Sequence, residues 1–139
     1  MRNYLKNDMY VVYLKKNEEK KILSGYPWVF ANEVWKSEGR DKQGSVAEVR
    51  GADGRFIGLG TINHHSKIIV RMLTRKQEVI DEEFYRKRII EAVKFRQELG
   101  YDDNYRAVFA ESDLIPGFIV DKYGDYLSVQ FLSLGVEVI

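Results

Sequence analysis

The sequence predicts an α+β protein built as two consecutive units. Short strand-like runs, punctuated by glycine, proline and polar turns, fill the chain to about Gln77 and leave little room for helix. One long amphipathic segment, Asp81 to Leu99, then reads as helix and is followed by further strand-like runs. The charge changes sign between the halves. Met1–Gln77 carries 15 Lys and Arg against 8 Asp and Glu, and Glu78–Ile139 carries 7 against 13. The basic half suits a polyanion, although the acidic half packing on the basic one would account for the same division.

Taken in order, Tyr10–Leu14 is a β-rich run. Lys15–Ser24 is polar and then helix-compatible, and it ends at Gly25, which adopts a left-handed cap without side-chain cost. Pro27 fixes the next turn and pushes Tyr26 towards an extended conformation. Trp28–Trp35 reads as one strand with an irregularity at Ala31–Asn32. Ser37–Gly44 is charged and glycine-punctuated, so it is expected as loop. Ser45–Arg50 alternates as a strand, with Val46 and Val49 on different faces. Gly51–Gly54 (GADG) is a hairpin turn signal. Arg55–Ile62 follows as a strand whose Gly58 and Gly60 mark a bulge, a bend or the close approach of another backbone. Asn63–Lys67 connects to a last strand, Ile68–Thr74. Such a series of short strands predicts a small barrel or sandwich.

In the second unit Asp81 is placed to cap the helix, Glu82 and Glu83 suit its positive end, and Gly100 stands where a C′ residue belongs. Phe84, Tyr85, Ile89, Ala92, Val93, Phe95 and Leu99 share one broad face. Arg88 and Arg96 fall on that face, so each must find a carboxylate or reach solvent. Glu111, Asp113 and Asp121 are the expected partners. Arg106–Glu111 reads as a strand, on which Glu111 and Asp113 would share a face. Phe118–Lys122 and Tyr126–Leu132 flank the hairpin signal Tyr123-Gly124-Asp125.

The length of 139 residues admits one domain of ordinary size or two small ones. The chain has no cysteine, which rules out disulfides, cysteine zinc sites and thiol catalysis within it. No apolar run approaches the ~20 residues of a membrane helix, and the N-terminus lacks a signal-peptide core. The cytoplasm is the default location. The apolar final run FLSLGVEVI lacks turn chemistry and a polar tail, so the chain reads as the front part of a longer polypeptide.

No catalytic constellation emerges. His64 and His65 are adjacent, which on a strand sends them to opposite faces, so a joint metal site is not expected. The glycines fit neither a phosphate loop nor a dinucleotide fingerprint, so no nucleotide-type cofactor is expected on these residues. What remains is a binding surface. Lys20, Lys21, Lys67 and Arg71, with Lys15, Lys16 and Arg75, are candidates to neutralise phosphates. Tyr26, Trp28 and His64 are candidates to stack on bases. Gly25, Pro27 and Ser66 shape the turns that present them. For Trp28 and Phe30 a place in the core competes with this use.

The runs KKILSGYPWVFANEV, GRFIGLGTINHHSKIIVRMLTR and ESDLIPGFIVDKYGDYLSVQ together resemble the N-terminal part of the PUA-domain RNA methyltransferases, from about Met9 to Glu137. The likeness is to the bacterial family that methylates carbon 5 of cytosine in large-subunit ribosomal RNA with S-adenosylmethionine. It implies that residues 1–77 are a PUA-like pseudo-barrel that binds RNA. Residues 78–139 would be the start of a central α/β domain with a hairpin. The Rossmann-like catalytic domain, its S-adenosylmethionine pocket and its nucleophilic cysteine would lie outside this chain. Tyr26 stands where the family often has histidine, which puts in doubt only a role specific to imidazole. A free-standing RNA- or protein-binding module is the competing reading, and a homodimer is left open.

Overall fold

A computed structural model of the chain describes residues 9–40 and 44–137. The first eight residues, the middle of the Ser37–Gly44 loop and the last two residues lie outside the described residues. The chain divides into two compact units, one up to Glu78 and one spanning Val79–Glu137.

The first unit is a six-stranded sheet with one short helix. Its strands are β1 (Tyr10–Leu14), β2 (Trp28–Phe30), β3 (Val34–Glu38), β4 (Val46–Arg50), β5 (Phe56–Ile62) and β6 (Ile68–Thr74), with α1 (Glu19–Leu23) between β1 and β2. The sheet order is β2-β6-β5-β4-β1-β3. Among the described residues only the β1–β4 pair of this sheet is parallel. The two edge strands, β2 and β3, are consecutive in sequence and joined by a 3-10 turn at Ala31–Glu33. That juxtaposition dictates the curl. In a flat sheet five strand spacings would hold the edges about 24 Å apart. A single 3-10 turn advances the chain by only about 6–8 Å. The sheet therefore rolls into a pseudo-barrel whose edges meet at that turn.

The expected single strand Trp28–Trp35 is thus two strands serving opposite edges. Glu33 explains the break. It is buried, its carboxylate accepts the Phe30 N–H at 2.9 Å, and it pairs with Lys21. The loop expected from Ser37 starts two residues later, because Ser37 and Glu38 pair with Val12 and Val11.

Gly58 and Gly60 of β5 face the backbone of β6. A Cβ at Gly58 would lie 2.5 Å from the Thr74 carbonyl oxygen, and one at Gly60 would lie 2.5 Å from that of Arg71. With the register shifts at Val49/Arg50 and Leu59/Gly60, this lets the barrel bend tightly. The core inside holds Val12, Leu14, Ile22, Val29, Val49, Ile57, Ile62 and Val70, all fully or almost fully buried. His64 and His65 lie in the β5–β6 turn rather than on a strand.

The second unit packs α2 (Glu82–Glu98) on an antiparallel sheet ordered β7-β8-β9, followed by a short α3 (Leu134–Glu137). The strands are β7 (Asn104–Phe109), β8 (Phe118–Tyr123) and β9 (Tyr126–Phe131). Asp81 caps α2 by accepting the Phe84 N–H at 2.9 Å, and Gly100 takes φ +92° just past its end. The core joins Ala92 to Ala107, Val108, Ile115 and Val120, with Tyr85, Ile89 and Val93 packed against it. Phe95 and Leu99 do not join it; both are more than half exposed. A three-stranded sheet offers α2 a narrow seat, so only the Phe84–Val93 part of the broad face is covered.

β7 stops at Phe109, short of Glu111. Ala110 takes φ +43° and a 3-10 turn spans Ala110–Asp113. Glu111 and Asp113 therefore do not share a strand face: at ~120° per residue in such a turn they diverge. Among the described residues no helix is long and apolar enough to cross a membrane.

Candidate nucleic-acid interface

The corner after α1 is built by backbone chemistry. The Ser24 and Gly25 N–H groups return to the Lys20 and Ile22 carbonyls, and the Tyr26 N–H donates to Lys21 O at 3.0 Å. Gly25 sits at φ +114° with nothing within 4 Å of a would-be Cβ, so the backbone angle alone asks for glycine. The Pro27 carbonyl accepts the Met72 N–H at 2.7 Å and ties the corner to β6. Arg75 clamps it from the other side, with Nε donating to Ile22 O at 2.8 Å and Nη2 to Tyr26 O at 3.2 Å. Arg75 thereby holds the corner while the residue itself stays exposed.

From this corner three aromatic rings run outward along β2. Tyr26 and Trp28 meet edge to face at 6.2 Å, and Trp28 and Phe30 do so at 6.5 Å. Val29, between them, is the residue that enters the core, while Trp28 and Phe30 stay half-buried. Of the two places open to Trp28 and Phe30, they take the partly covered outer face of β2. Cations interleave with the rings. Arg71 stands opposite Trp28 in the β2–β6 register, its Cζ 5.8 Å from the indole. Lys21 Nζ lies 5.0 Å from the Tyr26 ring and 5.3 Å from that of Phe30 while it pairs with Glu33.

The structure thus brings Lys21, Gly25, Tyr26, Pro27, Trp28 and Arg71 together. Lys67 is exposed at the far end of the row, where its carbonyl accepts the Ala31 N–H at 3.0 Å. Ser66 shapes that turn by accepting the Ile68 N–H at 3.1 Å. Lys20 is exposed on α1. His64, in the β5–β6 turn, is exposed and meets Tyr10 of β1 edge-on at 5.6 Å, away from the row. Glu33, buried beneath this surface as the partner of Lys21, was missed. The signal for the row was present: Tyr26, Trp28 and Phe30 recur at every second position, the period of one strand face.

In the second unit Arg96 makes a bidentate pair with Asp113, 2.6 Å on each arm, and both side chains are largely shielded. Asp113 also accepts the Phe109 N–H at 2.6 Å, which fixes the end of β7. Arg88 donates to the Leu114 carbonyl and lies 4.1 Å over the Phe84 ring. Asp121 does not serve α2. It pairs with Arg106, its neighbour across β7–β8, at 2.8 Å and 3.2 Å. That hydrogen bond holds the Asp121 carboxyl below its ordinary value and raises the guanidinium of Arg106. Burial pushes the Tyr85 hydroxyl up to about 12, against the opposing charge of Arg88. Glu111 lies half-buried on the 3-10 turn. No group of three His, Cys, Asp or Glu that could hold a metal occurs among the described residues.

A family model described as a PUA-like domain matches residues 12–75. A ribosomal RNA large subunit methyltransferase I from Vibrio cholerae is 38% identical over 129 residues, covering 91% of this chain and 32% of its own length. The protein of the same description from Tolumonas auensis is 38% identical over 130 residues, covering 91% and 33%. The chain therefore spans about a third of the length of the curated relatives it matches. A solved structure described as a methyltransferase complexed with SAH superposes with a TM-score of 0.77 over 94% of this chain and 34% of its own, at 15% identity. A SAM-dependent methyltransferase from Streptococcus mutans gives 0.72 over 91% and 35%, at 16% identity. At these identities the superpositions show a shared fold.

Proposed function

We propose, from the match of residues 12–75 to a PUA-like domain model and the kinship with ribosomal RNA large subunit methyltransferases, that the chain is the RNA-recognition portion of such an enzyme. On this reading residues 1–77 are the RNA-binding unit and residues 78–139 begin a central domain. Methyl transfer, to carbon 5 of cytosine from S-adenosylmethionine, belongs to the part of the relatives that this chain does not match. The protein works in the cytoplasm, where ribosomal RNA is made and modified in bacteria.

One observation carries the reading: an outward row of three aromatic rings, interleaved with Lys21 and Arg71, beside a corner whose backbone is clamped by Arg75. Aromatic faces stack on any base, and neighbouring cations meet phosphates, so the arrangement suits RNA. Lys67 and Lys20 are the exposed cations in reach of the phosphate path. Lys21 is bound to the buried Glu33 and acts through the rings it lies over.

On this reading S-adenosylmethionine binds outside the described residues. Gly58 and Gly60, the strand glycines whose backbone a cofactor could approach, face β6 instead: a Cβ at either would lie 2.5 Å from a β6 carbonyl oxygen. The test is fluorescence anisotropy of the chain with labelled fragments of large-subunit ribosomal RNA across a salt series. Saturable binding that weakens in Tyr26→Ala is expected. Equal binding by a folded Tyr26→Ala protein would make the corner purely structural.

A further inference from the structure

The barrel closes where β2 and β3 meet, and a second cluster of ring and cation lies on the far side of that seam. Trp35 of β3 is 56% exposed, the most open of the first unit's large apolar side chains among the described residues. Its ring meets that of Tyr13 edge-on at 6.5 Å. Lys36 Nζ lies 4.7 Å from the Trp35 ring and 4.8 Å from that of Tyr13. The indole is therefore held in place without being buried, which is a poor use of a tryptophan for stability alone. Lys15 and Lys16 are both exposed just beyond β1, and the Lys15 N–H donates to Glu33 O at 2.9 Å at the seam itself. The carboxylates of the same outward face are already engaged. Glu38 is met by Lys36 and by the Tyr13 hydroxyl, each at 3.3 Å, and Glu48 by Arg50 at 2.9 Å. Lys15 and Lys16 stand exposed at the end of β1, close to the seam.

We propose that Trp35, backed by Tyr13 and Lys36 and flanked by Lys15 and Lys16, is a second stacking site for an unpaired nucleobase, continuing an RNA strand across the seam from the Tyr26–Trp28–Phe30 row. This rests on the RNA-binding reading above and extends it to a defined path. Only three residues, Ala31–Glu33, separate the strands that bear the two clusters, so the same strand of RNA reaches both. Unpaired bases are the ligand because a ring standing off a strand edge offers a face to one splayed base, which a duplex does not present.

The test uses the whole chain and labelled single-stranded oligoadenylates of four and twelve nucleotides. Trp35→Ala is expected to weaken the twelve-nucleotide strand by about tenfold and to leave the four-nucleotide strand, which the first row accommodates, unchanged. The chain has two tryptophans, so Trp28→Phe makes Trp35 the sole reporter. Its emission is expected to be quenched by the longer strand. This arm keeps the proposal testable even if Trp35→Ala does not fold. If the parent binds both strands but Trp35→Ala binds each as tightly as the parent does and emission is unmoved, this proposal falls alone. If the parent binds ribosomal RNA but neither strand, this proposal falls alone; if it binds none of the three, the RNA-binding reading falls with it.

Discussion

Lys21 shows how one side chain can carry two duties that the sequence does not separate. Its ammonium pairs with Glu33, whose carboxylate is buried, and lies over the Tyr26 and Phe30 rings. Removing the ammonium leaves a buried carboxylate without its cation, an error that costs ~3–5 kcal/mol for a fully buried pair and less here because Lys21 is partly exposed. Urea denaturation should show Lys21→Ala destabilised by about 1–3 kcal/mol, with most of it recovered in Lys21→Ala/Glu33→Gln. Phosphate contact is better isolated with Lys67→Ala. That change should weaken all RNAs alike and lower the salt slope by up to ~1. Tyr26→Ala should lose ~1–3 kcal/mol of binding with the slope intact. A salt slope that falls in Tyr26→Ala as much as in Lys67→Ala would refute the division of labour between ring and cation. The alternation of Tyr26, Trp28 and Phe30 was legible in the sequence. The fate of Lys21 and Arg75 was not, because hydrogen-bond partners as distant as Arg75 and Ile22 leave no local pattern.

Between elements, the ion pairs of the second unit act as fasteners. Arg96 joins α2 to the 3-10 turn after β7 through two short, shielded hydrogen bonds to Asp113. Arg96→Ala would strand Asp113 and is expected to destabilise the chain by about 3–5 kcal/mol, read by thermal or urea unfolding. Asp121 makes a prediction in pH. Its carboxyl titrates lower when folded than when unfolded, because Arg106 hydrogen-bonds it. Its contribution is therefore present above the ordinary aspartate value of about 4 and is lost as pH falls through the lowered folded value. The stability gap between the parent and Asp121→Asn should be widest near neutrality and close as acid is added. A gap that grows in acid would assign the pairing the wrong sign. The long helix was visible from its cap, its periodicity and its terminal glycine. The end of β7 was not, because it depends on the Asp113 carboxylate folding back on the Phe109 N–H.

For the molecule as a whole, calorimetry should detect no binding of S-adenosylmethionine to this chain. Saturable micromolar binding would overturn the assignment of methyl transfer to the remainder of the relatives' length. Gly60→Ala probes the pseudo-barrel itself. With the Arg71 carbonyl 2.5 Å from the new methyl, β5 and β6 must separate, at a cost of roughly 1–3 kcal/mol in stability. By itself the sequence determined most strands, the long helix, the charge division and the Gly25–Trp28 corner. Those features rest on local signals: strand and helix periods, glycine and proline angles, helix caps. The tertiary structure decided that one run of chain, Trp28–Glu38, becomes two strands at opposite edges of the sheet. It also decided that Asp121 belongs to Arg106, and that the rings of β2 face outward instead of filling the core. Those outcomes depend on which strands become neighbours when the sheet closes, and closure is a property of the whole sheet that no local run of residues encodes.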